Sequence, residues 1–110
     1  MTMTKDDVLG VYAAMSDLTR AMVTAANESD WEGLESLEQR VSAHVAVLKA
    51  NEAMVRLEGE ERQRKATLIK QMLDDDRKVR DLIAPWMAQL ARLINSTGTE
   101  RRLVNAYGGV

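Results

Sequence analysis

The chain has 110 residues, 45% of them hydrophobic, with 15 Lys+Arg against 17 Asp+Glu for a net charge of −2. That length suits one domain, residues 1–110, with enough apolar content for a packed core. Cysteine is absent and His44 is the sole histidine, which removes disulfides, thiolate zinc sites and cysteine nucleophiles. Six glycines and one proline are too few for an all-β sandwich or barrel. No apolar run approaches the roughly 20 residues that cross a bilayer, and no signal-type stretch opens the chain. The expected location is the cytoplasm.

The pattern is helical throughout. A first helix is expected to start near Thr4, where Thr4 and Asp7 have capping-box spacing. Val8, Val11, Tyr12, Met15, Leu18, Met22 and Ala25 then form one apolar stripe, which stops at Asn27-Glu28-Ser29-Asp30. A second helix is expected behind Ser29 as N-cap, with Glu32 as its capping-box partner. Its stripe is Trp31, Leu34, Leu37, Val41, Val45 and Leu48. Met54, Val55 and Leu57 either continue it or pack in a loop, and Glu58-Gly59-Glu60 reads as the break.

The third helix is expected from about Glu60 to Asn95. Its stripe is Leu68, Ile69, Met72, Leu73, Val79, Leu82, Ile83, Trp86, Met87, Leu90, Leu93 and Ile94. Asp76 falls on that stripe where an apolar residue belongs. Pro85 lies inside it, and the stripe keeps its phase on both sides, so a kink is expected rather than a stop. Ser96-Thr97-Gly98-Thr99 interrupts the pattern. A short helix over about 99–107 then offers Leu103, Val104 and Tyr107 on one side, with Gly108-Gly109 as its end. At about nine residues it needs something to dock on. The expected fold is all-α: an antiparallel bundle of three long helices plus a short C-terminal helix.

Catalytic constellations are missing. His44 sits beside Val45 without a placed nucleophile. Di-iron bundles use Glu-x-x-His, and Val41 stands where that glutamate belongs. Asp74-Asp75-Asp76 point about 100° apart in a helix and do not converge on one ion, so Asp74 and Asp75 read as a solvated acidic turn. No catalytic residue, metal site or cofactor is expected.

Charge is uneven, with −6 over residues 1–60 and +4 over residues 61–110. Lys65, Lys70, Arg77, Lys78 and Arg80 form the densest basic set. Acids such as Glu61, Asp74 and Asp81 neighbour it, which favours a solvated helix face over a patch for an acidic protein partner or nucleic acid. Seven methionines suit a surface that accepts varied partners, although Met15, Met22, Met72 and Met87 lie on the stripes, where core filling is the plainer role.

The stretch Asp76-Arg77-Lys78-Val79-Arg80-Asp81-Leu82-Ile83, then Met87-Ala88-Gln89-Leu90-Ala91-Arg92-Leu93, then Leu103-Val104-Asn105-Ala106-Tyr107-Gly108, resembles the FliT family of flagellar export chaperones. Trp31-Glu32-Gly33-Leu34 is similar to that family's Trp-x-x-Leu at the start of its second helix. Pro85 and Trp86 depart from the family pattern. The resemblance implies a cytoplasmic chaperone of flagellar type III export. It would bind the filament cap protein FliD, prevent early assembly and deliver it through the export ATPase complex. The resemblance also implies, in some bacteria, binding to the master regulator FlhDC, and a C-terminal helix that limits access to the binding surface.

On that reading a partner helix enters an apolar groove of Val45, Leu48, Met72, Val79, Leu82 and Ile83. Leu103, Val104 and Tyr107 cover it at rest, and Lys70, Lys78 and Arg80 form a basic rim. A regulator of FlhDC and a structural adaptor are the competing classes. The stripes are wider than a two-in-seven seam, which favours a compact bundle over a coiled-coil spacer. The oligomeric state stays open, a homodimer included.

Overall fold

A computed structural model describes residues 3–94. The described residues form helices α1 (Lys5–Asn27), α2 (Trp31–Asn51) and α3 (Glu60–Ile94), with one 3-10 turn, Glu52–Met54, after α2. The fourth helix expected over 99–107 lies outside the described residues.

The helix ends explain why the chain folds where it does. Asp7 donates its backbone N–H to the Thr4 hydroxyl at 3.1 Å, and Thr4 returns its own N–H to the Asp7 carboxylate at 2.9 Å. Two otherwise unpaired amides at the head of α1 are thereby satisfied. The same bonds hold the Asp7 carboxyl below its usual range, the Thr4 backbone N–H first among the causes.

The α1–α2 junction corrects the expected cap. Ser29 is not the N-cap of α2. Its N–H bonds the Ala26 carbonyl at 3.2 Å, the Asp30 N–H bonds the Ala25 carbonyl at 2.8 Å, and Ser29 has φ +57°. This is the paired-bond ending of an α-helix, with Ser29 at the left-handed position usually given to glycine. Asp30 then caps α2 by accepting from the Gly33 N–H at 3.0 Å. A Cβ on residue 33 would lie 2.2 Å from an Asp30 carboxylate oxygen, so Gly33 leaves room for that cap.

The break at Gly59 stands where expected. Gly59 adopts φ +58°, a conformation that L side chains disfavour, and α3 begins one residue later. Val55 and Leu57 pack in the loop against the core. Beyond it α3 runs unbroken through Pro85. Pro85 and Asp81 are both exposed, so the Asp81 carbonyl that loses its donor sits on the solvent side of the helix.

Residue pairs give the helix directions. Lys5 meets Glu61 and Thr19 meets Asp75, so α1 and α3 advance together. Tyr12 meets Glu52, and Ala25 and Ala26 cluster with Leu34, so α2 returns against them. Helix α1 packs along both others, whereas the backbones of α2 and α3 approach each other far less. The core has two parts. Val8, Tyr12, Met15 and Leu48 anchor one, and Ala25, Ala26, Leu34 and Val79 anchor the other. The described residues form a rod of 52 × 23 × 19 Å, its length matching 35 residues of helix at 1.5 Å each.

The acidic run is also corrected. Asp75, not Asp76, occupies the core-facing position of α3 and is 6% exposed. It accepts from the Thr19 hydroxyl at 2.9 Å. Asp76 is half-buried and pairs with Arg80 one turn on, at 3.0 Å. Only Asp74 of the expected solvated pair is exposed. Leu73 and Leu93, expected on the stripe, are 62% and 76% exposed.

Candidate partner-binding surface

The apolar residues of α2 and α3 reach the same seam from opposite sides. Val45 and Met72 pack, half-buried, on the Val8/Tyr12 cluster. Leu82 and Ile83 pack, also half-buried, on the Ala25/Leu34 cluster. Leu48 and Val79 lie deeper, at 6% and 5% exposure, and belong to the core itself. A partner reaches them only if the helices part. The predicted cover, Leu103, Val104 and Tyr107, lies outside the described residues.

The three expected rim cations do not converge. All are exposed. At about 100° per residue, Lys78 and Arg80 stand on opposite flanks of buried Val79, and Lys70 lies about 180° away from it. Arg80 is held by Asp76. Lys70 and Arg77 share the outer side of α3 with exposed Leu73, roughly 120° to 180° from Val79.

Each end of the seam carries a clasp that sequence reasoning missed. At one end the Tyr12 hydroxyl donates to Glu52 at 2.7 Å, Lys65 bonds the same carboxylate oxygen, and the ammonium lies 5.3 Å from the Tyr12 ring centre. Burial, then the Glu52 carboxylate, pushes the Tyr12 phenol up. The hydrogen bond to Glu52 raises Lys65 against its own burial. Burial pulls Glu52 upward, but the Lys65 and Tyr12 hydrogen bonds outweigh it and the carboxyl ends lower than usual. At the other end the Trp31 and Trp86 rings tilt together with centroids 4.6 Å apart. Trp31 was legible as a stripe residue, but its partner lies 55 positions away in the chain and no local spacing announces the pair.

His44 is half-buried beside Met3, Asp6, Val11 and Val47 in a shallow α1–α2 groove. Among the described residues, no group of three His, Cys, Asp or Glu is placed to hold a metal ion. No described helix is long and apolar enough to cross a membrane.

The described residues have the architecture of a small all-helical protein. The solved crystal structure of flagellar protein FliT from Bordetella bronchiseptica matches with a TM-score of 0.70 at 32% identity, over 78% of this chain and 98% of that one. The family model described as flagellar protein FliT matches residues 9–109. The chain belongs to the FliT family. No curated protein matches it by sequence.

Proposed function

We propose that this chain is a flagellar type III export chaperone. It binds the filament cap protein FliD in the cytoplasm, keeps it from assembling early and passes it to the export ATPase complex. Family membership supports the reading. The observation that carries it is the pair of apolar faces, Val45 on α2 and Met72, Leu82 and Ile83 on α3, left half-buried where the two backbones stay apart. A partner helix seated there completes their burial at about 25 cal/mol per Å².

In this reading the three helices are an antiparallel bundle, and a short C-terminal helix over about 99–107 covers the seam through Leu103, Val104 and Tyr107. Calorimetric titration with the C-terminal segment of the cap protein tests it, using the full chain and a chain ending at Gly98. Binding at micromolar strength or tighter is expected. Truncation tightens it about tenfold if displacing the cover takes about 1.4 kcal/mol. Absence of binding in both runs overturns the chaperone reading, and equal affinities discard the cover alone. FlhDC is titrated in parallel as the partner of the regulatory reading.

A further inference from the structure

A second surface lies at the α2–α3 turn, next to the Tyr12–Glu52–Lys65 end of the seam. Leu48, Val55 and Leu57 give a shallow depression its apolar lining, and Lys49, Arg56, Arg62 and Lys65 surround them. Glu52 is the one acid in that lining, and Tyr12 and Lys65 already engage it. Of the nearby acids, Glu58 pairs with Arg56 at 3.3 Å and Glu61 with Lys5 at 3.5 Å, while Glu60 is exposed and lies outside the lining. Lys49 and Arg62 have no ion-pair partner among the described residues. Arg62 stands in the first turn of α3 beside Glu60 and Glu61, where the helix dipole favours the acids and disfavours the cation. Met54, between lining residues Ala53 and Val55, projects into solvent at 78% exposure.

We propose that this depression is a docking site for an acidic, apolar-anchored segment of a partner protein. Charge complementarity selects that occupant. Carboxylates meet Lys49 and Arg62 at the rim, apolar side chains settle against Val55 and Leu57, and Met54, flexible and polarisable, folds over them. A basic segment meets repulsion from the same rim. The site's rim cations, Lys49 and Arg62, take no part in the apolar faces proposed for the cap protein.

The test is a nuclear magnetic resonance titration of the isotope-labelled full chain. The probe is a capped pentapeptide alternating leucine and glutamate, and the control carries lysine for glutamate. Saturable shifts are expected at Lys49, Val55, Leu57 and Arg62 with the acidic peptide and not with the basic one. Raising salt from about 0.05 to about 0.5 M should weaken them. Lys49→Glu/Arg62→Glu should weaken binding about tenfold or more, and Lys49→Gln/Arg62→Gln should fall between. Circular dichroism checks that both variants stay folded. The proposal is overturned by no shifts at millimolar peptide, by equal response to the basic peptide, or by affinity unchanged in the charge-reversed variant. It is equally overturned if these residues shift with protein concentration alone, since the occupant is then a second copy of this chain.

Discussion

Thr19 and Asp75 stand 56 positions apart in the chain and meet at 2.9 Å inside it. Both are buried. The Thr19 hydroxyl also lies 2.9 Å from the Ser16 carbonyl, but it has one proton to give, and a carboxylate is the stronger acceptor. The bond ties α1 to α3 midway between the two core clusters. A slide by one residue separates the pair, so it specifies register as well as adding stability.

Thr19→Val is expected to destabilise the fold by about 1–3 kcal/mol, because Asp75 keeps its desolvation without its donor. Thr19→Val/Asp75→Leu should recover part of that loss, since removing both partners leaves no orphan. Urea unfolding of the two variants checks this. A double variant less stable than Thr19→Val alone would contradict it.

The Tyr12–Glu52–Lys65 clasp sets a pH window. Glu52 is lowered in the folded chain, so its contribution is present above the ordinary carboxylate value and lost as pH falls through the folded one. Lys65 and Tyr12 are raised, so theirs are present below their ordinary values and lost as pH rises through the folded ones. Stability should therefore plateau between about pH 5 and about pH 9. Glu52→Gln should flatten both limbs and lower the plateau by about 1 kcal/mol. Unfolding free energies measured from acid to alkaline pH provide the check.

Ser29 holds a left-handed conformation that costs a side chain about 1 kcal/mol. Ser29→Gly is expected to stabilise the chain by about 0.5–1 kcal/mol and raise Tm by about 2–8 °C. Thermal unfolding reads the change, and a lower Tm would mean that the serine side chain compensates for its backbone.

Trp31 and Trp86 are the two tryptophans of the chain, so its indole signals report on one place. Trp86→Phe should lower stability by about 1 kcal/mol and abolish the coupled near-ultraviolet dichroism of the ring pair. A partner entering the seam from this end should produce the same spectral loss in the unaltered chain.

The three long helices and most of their ends were legible because local chemistry decides them, as at Thr4–Asp7 and Gly59. The misassignments share one cause. Ser29 and Asp30 are both good caps, and only the hydrogen bonds closing α1 decide which is free to serve α2. Asp75 and Asp76 both fit between Met72 and Val79 at steps of three or four. The choice falls to the helix that packs against them, here through Thr19. Leu73 was read as buried for the same reason, since Met72 and Leu73 are adjacent and only one can face α1. Lys70, Lys78 and Arg80 are close in sequence but spread around the helix. The depression at the α2–α3 turn is lined from within residues 48–65, but it arises from how the turn folds back and not from any period in that stretch.

The elongated outline has a hydrodynamic consequence. The described residues of this 12.3 kDa chain are drawn out to 52 Å by 23 Å, and such a rod tumbles and migrates as a larger sphere would. A single copy should elute from a sizing column ahead of globular standards of its mass and show slowed, anisotropic rotation. Early elution is thus the expected behaviour of a monomer, and light scattering or sedimentation equilibrium, which weigh a particle irrespective of outline, are the measurements that distinguish it from a pair.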